Sequence, residues 1–474
     1  MMEETDVLVV GAGLAGLACA LGCAAHGLDV TVVEASDRVG GRVATDIVDG
    51  YRVDRGFQVI NTSYREAARI LDLGALSLRE FTPGAALFRD GRLHPVINPV
   101  RRPRQWRTAL AAPVGRWPDK VAFGLAAGLA AAAPEGAVRT ALRATASRDV
   151  DVAELVHRLH LDPVGSSFLR PFLSGVLLDG DLSATSARFA ALLVRGFARG
   201  RIAVPARGMG AIPAQLAARL PAGALRLATR VTSLGAGPGN SGRAGTWRAA
   251  LEGGGTVDAR AIVVATDPVT AGRLVPGSGV APGSMRSVTT FWHRAPAPPL
   301  GAPLLVLDGE ERLVANSVVV SNASPDYLPE MGRDRAGALV ATSVLGRRGD
   351  GATERAVRDR LAVLYGVPTD GWEVVAAHQI DDALPPLPPG RPLRRAVRFG
   401  PGRYVCGDHR DTPSIEGALM SGRRAAAAVV DDLGVRDLPI PPEPAGSHAT
   451  GVPVRTNASV NRSTPRPSTR EDGA

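Results

Sequence analysis

The sequence predicts an α/β protein in which a domain with a parallel sheet is joined to an α+β domain formed by two insertions. Three observations support this prediction. An apolar strand, a glycine-rich turn and a helix open the chain. Strand-like apolar segments recur in the middle and near the end of the chain, and long segments of other character separate them. This order indicates a sheet assembled from distant parts of the chain.

The first βαβ unit can be read directly from the apolar pattern. Residues 6–10 form a short apolar strand, a helix is predicted over about 14–26, and Gly27 ends it as a helix C-cap glycine does. Residues 28–34 form a second apolar strand. The unit is typical of a Rossmann-like, dinucleotide-binding domain.

Gly11, Gly13 and Gly16 give the order GxGxxG between that strand and that helix. The first glycine permits a tight turn, the second lets the backbone approach a diphosphate, and the third lets helix and strand pack closely. The helix N-terminus favours bound phosphate. Glu34, at the end of the second strand, is suited to bind ribose hydroxyls, and its charge disfavours a 2′-phosphate. NADP is therefore not expected.

The later elements follow in order along the chain. A mostly helical segment is predicted for residues 88–199, a helix for 211–220, a strand for 225–234, a hairpin for 247–251 and 256–259, a strand for 261–265, one clear helix for 353–365 among the strands of 280–398, and a last structured piece for 404–433. Together these segments suggest a parallel sheet with helices and a β-meander.

We therefore predict a discontinuous cofactor-binding domain from residues 1–87, 200–279 and 393–435, and a substrate domain from 88–199 and 280–392. Residues 436–474 are mostly Pro, Ser, Thr and Arg without an apolar period, and are predicted to form a disordered tail.

Residues 34–42, EASDRVGGR, resemble the flavin-binding signature of the superfamily of flavin-containing amine oxidases, protoporphyrinogen oxidases and phytoene desaturases. The resemblance implies that Gly41 brings backbone near the diphosphate of FAD and that Arg42 lies along the cofactor. A guanidinium beside a diphosphate is also chemically reasonable. Gly56, with the segment 56–59 after Asp54, is expected to pass close to the flavin.

Two further segments are similar to motifs of the same family. Residues 404–408, YVCGD, run into 414–418, SIEGA, and the resemblance implies that Asp408 binds a ribityl hydroxyl. A helix beginning near Ile415 would point its N-terminus at the flavin, where its dipole favours the reduced anion. Val231 occupies the place of a valine that contacts the adenine. The predicted cofactor-binding residues are Gly11, Ala12, Gly13, Leu14, Ala15, Gly16, Glu34, Ala35, Gly41, Arg42, Gly56, Val231, Gly407, Asp408 and Ile415.

The sequence departs from the amine oxidases of this family in one respect. The chain has a single lysine, Lys120, and none in residues 288–293, where the family's flavin-proximal lysine would be sought. Tyr404 is a poor single candidate for the flavin-flanking aromatic pair, and His409 and Arg410 are expected near the isoalloxazine. No catalytic base is assigned, and no residues have metal-ligand spacing.

The expected function is that of an FAD-dependent oxidoreductase of desaturase or oxidase type. It would take two electrons from a large hydrophobic substrate such as an isoprenoid or carotenoid. No second GxGxxG follows a strand, so oxygen, a quinone or another carrier is the expected acceptor. The alternatives are an amine oxidase without the usual lysine, a protoporphyrinogen-type oxidase, and a flavin-binding protein without net redox turnover.

Charge and composition bear on location. The chain has 474 residues and a net charge of +9, and residues 89–148 hold eleven Arg or Lys against three acids, together with Trp106 and Trp117. This suits an anionic membrane surface, with a solvated Arg-rich helical face as the alternative; nucleic acid is not expected. Three cysteines without a disulfide framework and no long apolar span predict a cytoplasmic protein, either free or peripheral at a membrane.

Overall fold

The structure is a computed structural model that describes residues 2–98, 101–102, 104, 111–144, 148–238, 245–331 and 336–435. The strands are β1 Met2–Val10, β2 Val30–Val33, β3 Thr45–Val48, β4 Tyr51–Asp54, β5 Ile60–Asn61, β6 Leu78–Glu80, β7 Gly84–Arg89, β8 Arg92–Ile97, β9 Ile202–Pro205, β10 Leu225–Arg226, β11 Val231–Ala236, β12 Trp247–Leu251, β13 Thr256–Val264, β14 Arg286–Ala295, β15 Leu305–Asp308, β16 Asn316–Val319, β17 Ala338–Leu345, β18 Glu373–Leu384 and β19 Arg403–Val405. The helices are α1 Leu14–Ala24, α2 Arg65–Ile70, α3 Trp117–Ala132, α4 Glu135–Ala144, α5 Val152–Arg158, α6 Asp162–Val164, α7 Arg170–Leu177, α8 Ala187–Arg199, α9 Ala211–Ala217, α10 Pro268–Leu274, α11 Val320–Ala323, α12 Gly351–Tyr365 and α13 Ile415–Asp432. A π-helical turn, Gly165–Leu169, joins α6 to α7.

The first sheet has the order β10-β2-β1-β13-β12-β11, and β19 also pairs with β13. Strand β1 is parallel to β2 and to β13. The long strand β13 pairs antiparallel with β12 over its first half and parallel with β19 over its second half. The predicted parallel sheet with a β-meander is therefore confirmed. Residues 7–10 of β1 and 261–264 of β13 are apolar and buried, as expected where both faces of a parallel sheet are covered.

Two predicted boundaries in this sheet are wrong. The single strand expected over 225–234 is two strands, β10 and β11, because the chain leaves the sheet after Arg226 and turns at Ala228, whose φ is 49°. The strands expected over 256–259 and 261–265 are one continuous strand, β13. Both errors have one cause: the partner strands, not the local pattern, decide where pairing stops.

The second sheet has the order β18-β14-β17-β16-β15-β7-β8, and its strands come from residues 84–97 and 286–384. The prediction that the segment from residue 88 is mostly helical fails at its start, where β7 and β8 form a hairpin. The turn residues Asp90 and Gly91 have φ values of 52° and 72°, which a tight hairpin turn requires. The dipeptide Asp90-Gly91 is the feature of the sequence from which this hairpin turn could have been predicted.

The described residues up to 435 belong to one compact unit, Met1–Arg436, rather than to two separate bodies. The division into a cofactor domain and a substrate domain follows sheet membership and stays a proposal. The predicted tail, residues 436–474, lies outside the described residues, as does Trp106. In the part of the chain that the structure describes, no helix has both the length and the apolarity needed to cross a membrane.

Helices α1 and α13 pack closely behind the first sheet. A Cβ added to Gly422 would lie 2.2 Å from the Ala15 carbonyl oxygen and 3.0 Å from the Ala18 Cβ. At Gly22 an added Cβ would lie 2.7 Å from the Ala426 Cβ. These glycines let the two backbones approach each other, so the start of α1 packs against the middle of α13. The first helix and the last described helix thereby lie side by side.

We expect Gly422→Ala to lower the free energy of unfolding by about 2 kcal/mol, because the added methyl group overpacks the contact between α1 and α13. Gly124→Ala, in α3, is the matched control, since no atom lies within 4 Å of the added Cβ. The control should keep or slightly raise stability, as expected for an exposed helix. Urea unfolding measures both, and equal effects would contradict this account of the packing.

Candidate cofactor and substrate site

One continuous cavity of about 1410 Å³ runs from the glycine turn of the first sheet to the helices of the first insertion. Its lining includes Gly13 and Glu34 at one end, Arg42 and Asp408 in between, and Phe172 at the other end. Pockets for a single drug-sized ligand have volumes of roughly 300–1,000 Å³. The cavity is therefore large enough for a dinucleotide and a substrate together.

The glycine turn has the geometry that the sequence predicts. Gly11 has a φ of 107°, and a Cβ there would lie 2.9 Å from the Ala265 carbonyl oxygen. A Cβ at Gly16 would lie 2.0 Å from the Gly11 carbonyl oxygen, so this position accepts only glycine. Gly13 differs, because it faces the cavity and nothing lies within 4 Å of its added Cβ. No side chain covers the backbone at Gly13, so a diphosphate could approach it there.

Glu34 joins the glycine turn to the start of the β-meander. Its carboxylate accepts hydrogen bonds from the Ala12 N–H at 2.7 Å and from the Ser36 N–H at 2.9 Å. Its backbone carbonyl accepts from the Thr229 N–H at 2.7 Å. This bond draws residues 229–231 toward Glu34, and Val231 lines the same end of the cavity.

Arg42 and Asp408 form a bidentate ion pair, although 366 residues separate them in the sequence. The two N–H···O distances are 2.8 and 2.6 Å, and the Asp408 side chain is buried. Arg42 also donates to the Ala383 carbonyl at 2.9 Å. The Gln58 amide donates to the Arg42 carbonyl at 2.7 Å. The pair therefore connects three distant parts of the chain at the middle of the cavity.

The N-terminus of α13 lies at the cavity, and Ile415 is in its lining. Ser414 caps the helix by accepting a hydrogen bond from the Gly417 N–H at 3.0 Å, and Ser414, Ile415 and Ala418 line the cavity. Glu416, the acid in this first turn, accepts instead from the backbone N–H of Glu66 and lies against α2. Burial raises the pKa of Glu416.

Two of the predicted cofactor residues lie behind the cavity wall. Ala12 and Gly16 are absent from the lining: Ala12 bonds to Glu34, and Gly16 packs against Gly11. The other predicted residues line the cavity: Gly11, Gly13, Leu14, Ala15, Glu34, Ala35, Gly41, Arg42, Gly56, Val231, Gly407, Asp408 and Ile415.

Three other residues considered from the sequence are not in the cavity wall. The buried Tyr404 hydroxyl donates to Asp432 at 2.7 Å, so it is no flavin-flanking aromatic residue. Arg410 donates to the carbonyls of Ala396 and Ser278. His409 is buried, and burial lowers its pKa to about 3, so its ring is neutral. Its position beside Gly407 does not bring it into the lining.

The far end of the cavity is an aromatic chamber that sequence reasoning missed. The rings of Phe168 and Phe172 stack with centroids 5.8 Å apart, and Phe172 meets Phe197 edge-on at 5.0 Å. Leu193 and Phe189 complete this wall. Positions 168 and 172, and 189, 193 and 197, are four residues apart, so each set lies on one face of a helix. This four-residue spacing can be read from the sequence and indicates an apolar helix face. Only the packing shows that both faces line the same chamber.

Cations border this chamber. Arg101, Lys120 and Arg201 line the cavity near the aromatic wall. Glu80 also lines it and forms an ion pair with Arg201 at 2.9 Å. Lys120 donates to the Ala112 carbonyl at 2.5 Å. The local charge of this end is therefore positive.

Asp54 lies under the cavity wall and is fully buried. Its carboxylate accepts hydrogen bonds from the Tyr327 hydroxyl at 2.6 Å, from the Met209 N–H at 2.9 Å and from the Thr45 hydroxyl. The indole N–H of Trp292 donates to its backbone carbonyl at 3.1 Å. Burial raises the pKa of Asp54 to about 6, although these hydrogen bonds act in the opposite direction.

The parallel sheet, the bare backbone at Gly13 and the acid at Glu34 define a dinucleotide-binding protein of the oxidoreductase class. The family can be stated as well. A model of the family described as flavin containing amine oxidoreductase matches residues 14–430, so the chain belongs to that family. It is an FAD-dependent oxidoreductase.

Curated relatives match over short segments. The coproporphyrinogen III oxidase of Propionibacterium freudenreichii subsp. freudenreichii is 35% identical over 131 residues, which cover 26% of this chain and 24% of that protein. The hydroxyneurosporene desaturase of Rhodobacter capsulatus is 52% identical over 60 residues, which cover 13% of this chain and 12% of that protein. This chain thus spans about a quarter or less of either relative.

Among solved structures, wild-type putrescine oxidase bound to putrescine is similar with a TM-score of 0.65 at 17% sequence identity. The match covers 91% of this chain and 100% of that chain. It confirms the predicted fold class over nearly the whole chain.

We expect Asp54 to make folding depend on pH. Its folded-state pKa of about 6 lies above that of an unfolded aspartate, so its contribution to stability is complete below about pH 4 and is lost as the pH rises through about 6. The expected loss is about 3 kcal/mol. Asp54→Asn keeps the hydrogen-bonding shape but does not titrate, so it should remove this fall in stability.

Urea unfolding at several pH values between about 4 and 7 measures the effect. Asp350→Asn is the control, because hydrogen bonds from Thr353 lower the pKa of Asp350 and its contribution has the opposite sign. An Asp54→Asn profile parallel to the wild type would contradict the assignment.

Proposed function

We propose that this FAD-dependent oxidoreductase takes two electrons from a large, mainly apolar substrate, as a desaturase or oxidase of carbon–carbon systems does. One observation carries the proposal. The cavity that holds the predicted cofactor residues continues without interruption into an aromatic chamber lined by Phe168, Phe172 and Phe197. An isoprenoid or carotenoid-like chain suits such a chamber, because its affinity comes from apolar contact.

The segments that build the first sheet form the proposed FAD domain, residues 1–87, 200–279 and 393–435. The second sheet and the helices of the first insertion form the proposed substrate domain, predicted as 88–199 and 280–392. Residues 84–87 belong to it as well, because β7 pairs with β15. The substrate chamber receives wall residues from both insertions, including Phe172 from the first and Asn316 from the second. This explains why neither insertion alone shows a recognisable site.

The residues at the cavity fit FAD. Gly13 leaves room for a diphosphate, Glu34 offers a carboxylate to ribose hydroxyls, and Asp408 offers a buried acceptor that Arg42 holds in place. The capped N-terminus of α13 presents backbone N–H groups at Ile415, where they favour negative charge. Bound FAD supplies the acceptor for a hydride from a carbon–hydrogen bond. The other predicted lining residues form the walls that position it.

The electrostatics of the chamber argue against a cationic amine as substrate. An ammonium group needs a nearby carboxylate to offset its loss of hydration. Among the described residues of this end, Glu80 is the acid in the lining, and it is already paired with Arg201. Arg101 and Lys120 would repel an amine. We therefore rank amine oxidation below the oxidation of large apolar substrates. Oxygen, a quinone or another carrier is the proposed electron acceptor.

A porphyrinogen-type substrate is the second candidate. It would combine a large apolar ring with carboxylates, and Arg101, Lys120 and Arg201 could pair with such groups. The relative named coproporphyrinogen III oxidase supports considering this class. The apolar wall of the chamber suits both candidate substrates, whereas its cations favour the one that carries carboxylates.

We expect Gly13→Ala to fold normally but to lose FAD. The added methyl group meets no protein atom within 4 Å and projects at the cavity, where it would obstruct the diphosphate. Gly16→Ala is the matched control, because its Cβ would lie 2.0 Å from the Gly11 carbonyl oxygen. The control should lose both fold and flavin. Flavin absorbance per polypeptide and urea unfolding of the apoprotein are the measurements. Full flavin content in Gly13→Ala would contradict this placement.

The substrate class can be tested by anaerobic reduction of the bound flavin. Polyenes should bleach the flavin absorbance, whereas simple amines should not. Phe172→Asp should slow the reduction by polyenes by about tenfold or more, because an apolar substrate would bury the new charge. Leu159→Asp, at an exposed leucine of the same insertion, should leave the rate unchanged.

Three outcomes have distinct meanings. Bleaching by amines alone would refute the apolar-substrate proposal. Bleaching by porphyrinogens alone would favour the second candidate. A protein that holds FAD but is reduced by none of the panel would favour flavin binding without net turnover.

A further inference from the structure

Helix α3 exposes an apolar stripe. Trp117, Val121, Leu125 and Leu129 are four residues apart, so they lie along one side of the helix. Their exposed fractions are 65%, 37%, 63% and 72%. Apolar side chains scattered singly on a surface are ordinary, but four in one row on one helix indicate a surface that meets another apolar phase.

The neighbouring stripe of the same helix borders the cavity. Lys120, Gly124 and Gly128, again four residues apart, are in the lining of the chamber. No atom lies within 4 Å of a Cβ added to either glycine, so the helix leaves open space on this side. Helix α3 therefore forms part of the rim of the chamber, with its exposed apolar stripe beside the opening.

The C-terminal end of α3 is held by hydrogen bonds to α8. Arg195 donates to the Ala133 carbonyl at 2.8 Å, and Arg199 donates to the Ala131 carbonyl at 2.8 Å. These guanidinium groups satisfy carbonyls that a helix end leaves without partners. The helix is thus anchored at one end, while its apolar stripe faces outward.

The segment of sequence that contains α3 is strongly basic. Residues 89–148 contain eleven Arg or Lys and three acids. Arg116 is exposed directly before Trp117, and Arg101 and Lys120 border the chamber. Two copies of such a surface would repel each other. Anionic lipid headgroups would instead attract the arginines while the apolar side chains enter the interface.

We propose that α3 docks the protein on an anionic membrane surface and that the adjoining opening admits an apolar substrate from the lipid to the chamber. Trp117, Val121, Leu125 and Leu129 enter the interfacial layer with the helix axis parallel to the membrane. At about 1.5 Å per residue the 16-residue helix is too short to span the bilayer and suits this orientation. The proposal rests on the proposed function only in taking the substrate to be apolar.

Vesicle flotation with the full-length, FAD-loaded protein tests the docking. One set of vesicles contains phosphatidylcholine alone, and the other contains phosphatidylcholine with anionic phosphatidylglycerol. The wild type should float with the anionic vesicles and do so less at high salt. Leu125→Ser with Leu129→Ser should weaken this binding by about tenfold or more. Flavin content and urea unfolding establish that the variant is folded.

Val363→Ser with Val374→Ser is the matched control, because both valines are exposed but lie in α12 and β18. This variant should bind vesicles as the wild type does. Equal binding by all three proteins, or no binding by the wild type, would overturn the docking proposal. A change from dimer to monomer in the leucine variant without any vesicle binding would assign the stripe to a second copy.

Gly128→Phe tests the access route separately. The ring would fill the opening beside α3, so turnover of a substrate dissolved in vesicles should fall by about tenfold or more while flotation stays unchanged. Unchanged turnover would overturn the access route. Vesicle binding without oxidation of any apolar substrate would support docking but refute the proposed function. Oxidation of detergent-dispersed substrate without vesicle binding would support the proposed function but refute docking.

Discussion

The ion pair between Arg42 and Asp408 joins two segments that lie 366 residues apart in the sequence, in the middle of the cavity. Its two hydrogen bonds connect the loop after β2 to the loop after β19, and the bond from Arg42 to Ala383 adds the end of β18. The Asp408 side chain is buried and the Arg42 side chain is 32% exposed, so loss of Arg42 would leave a buried carboxylate without its partner. The geometry of the middle of the cavity therefore depends on this pair.

A second polar cluster, centred on Asp54, holds the opposite side of the same wall. Thr45, in β3, and Met209, after β9, donate to it from one side, while Trp292 comes from β14 of the second sheet and Tyr327 from the loop after α11. Asp54 directly precedes residues 55–58, which line the cavity. A buried carboxylate with this many donors fixes the loop more tightly than an apolar residue would. The contacts that fix the Asp54 carboxylate also keep it buried, and burial raises its pKa.

The two ends of the cavity are built on different physical principles. At the proposed cofactor end the walls are backbone and small residues, which suit a diphosphate and ribose hydroxyls recognised by N–H groups and carboxylates at close range. At the proposed substrate end the walls are phenylalanine rings and a basic rim, which suit apolar contact. The exposed surface of α3 is likewise apolar and lies in a basic segment of the sequence.

The sequence by itself determined the class of fold and predicted the residues of the proposed cofactor end of the cavity. Gly11, Gly16 and Glu34 act within about thirty residues of one another, and their roles follow from local backbone geometry and from one βαβ unit. The family resemblance added Arg42 and Asp408, which the structure brings into contact. Local patterns were insufficient where pairing with distant strands decides the outcome, as at the break between β10 and β11.

The tertiary structure alone decided the aromatic chamber and the position of α3. Phe172 and Phe197 belong to helices whose apolar faces look like ordinary core faces in the sequence. Only their packing around an open volume shows that they form a chamber. In the same way, the apolar residues of α3 could have been buried, and exposure is a property of the neighbours that a helix has, not of its own sequence. Local interactions specify elements, whereas empty space and exposed surface depend on how distant elements pack.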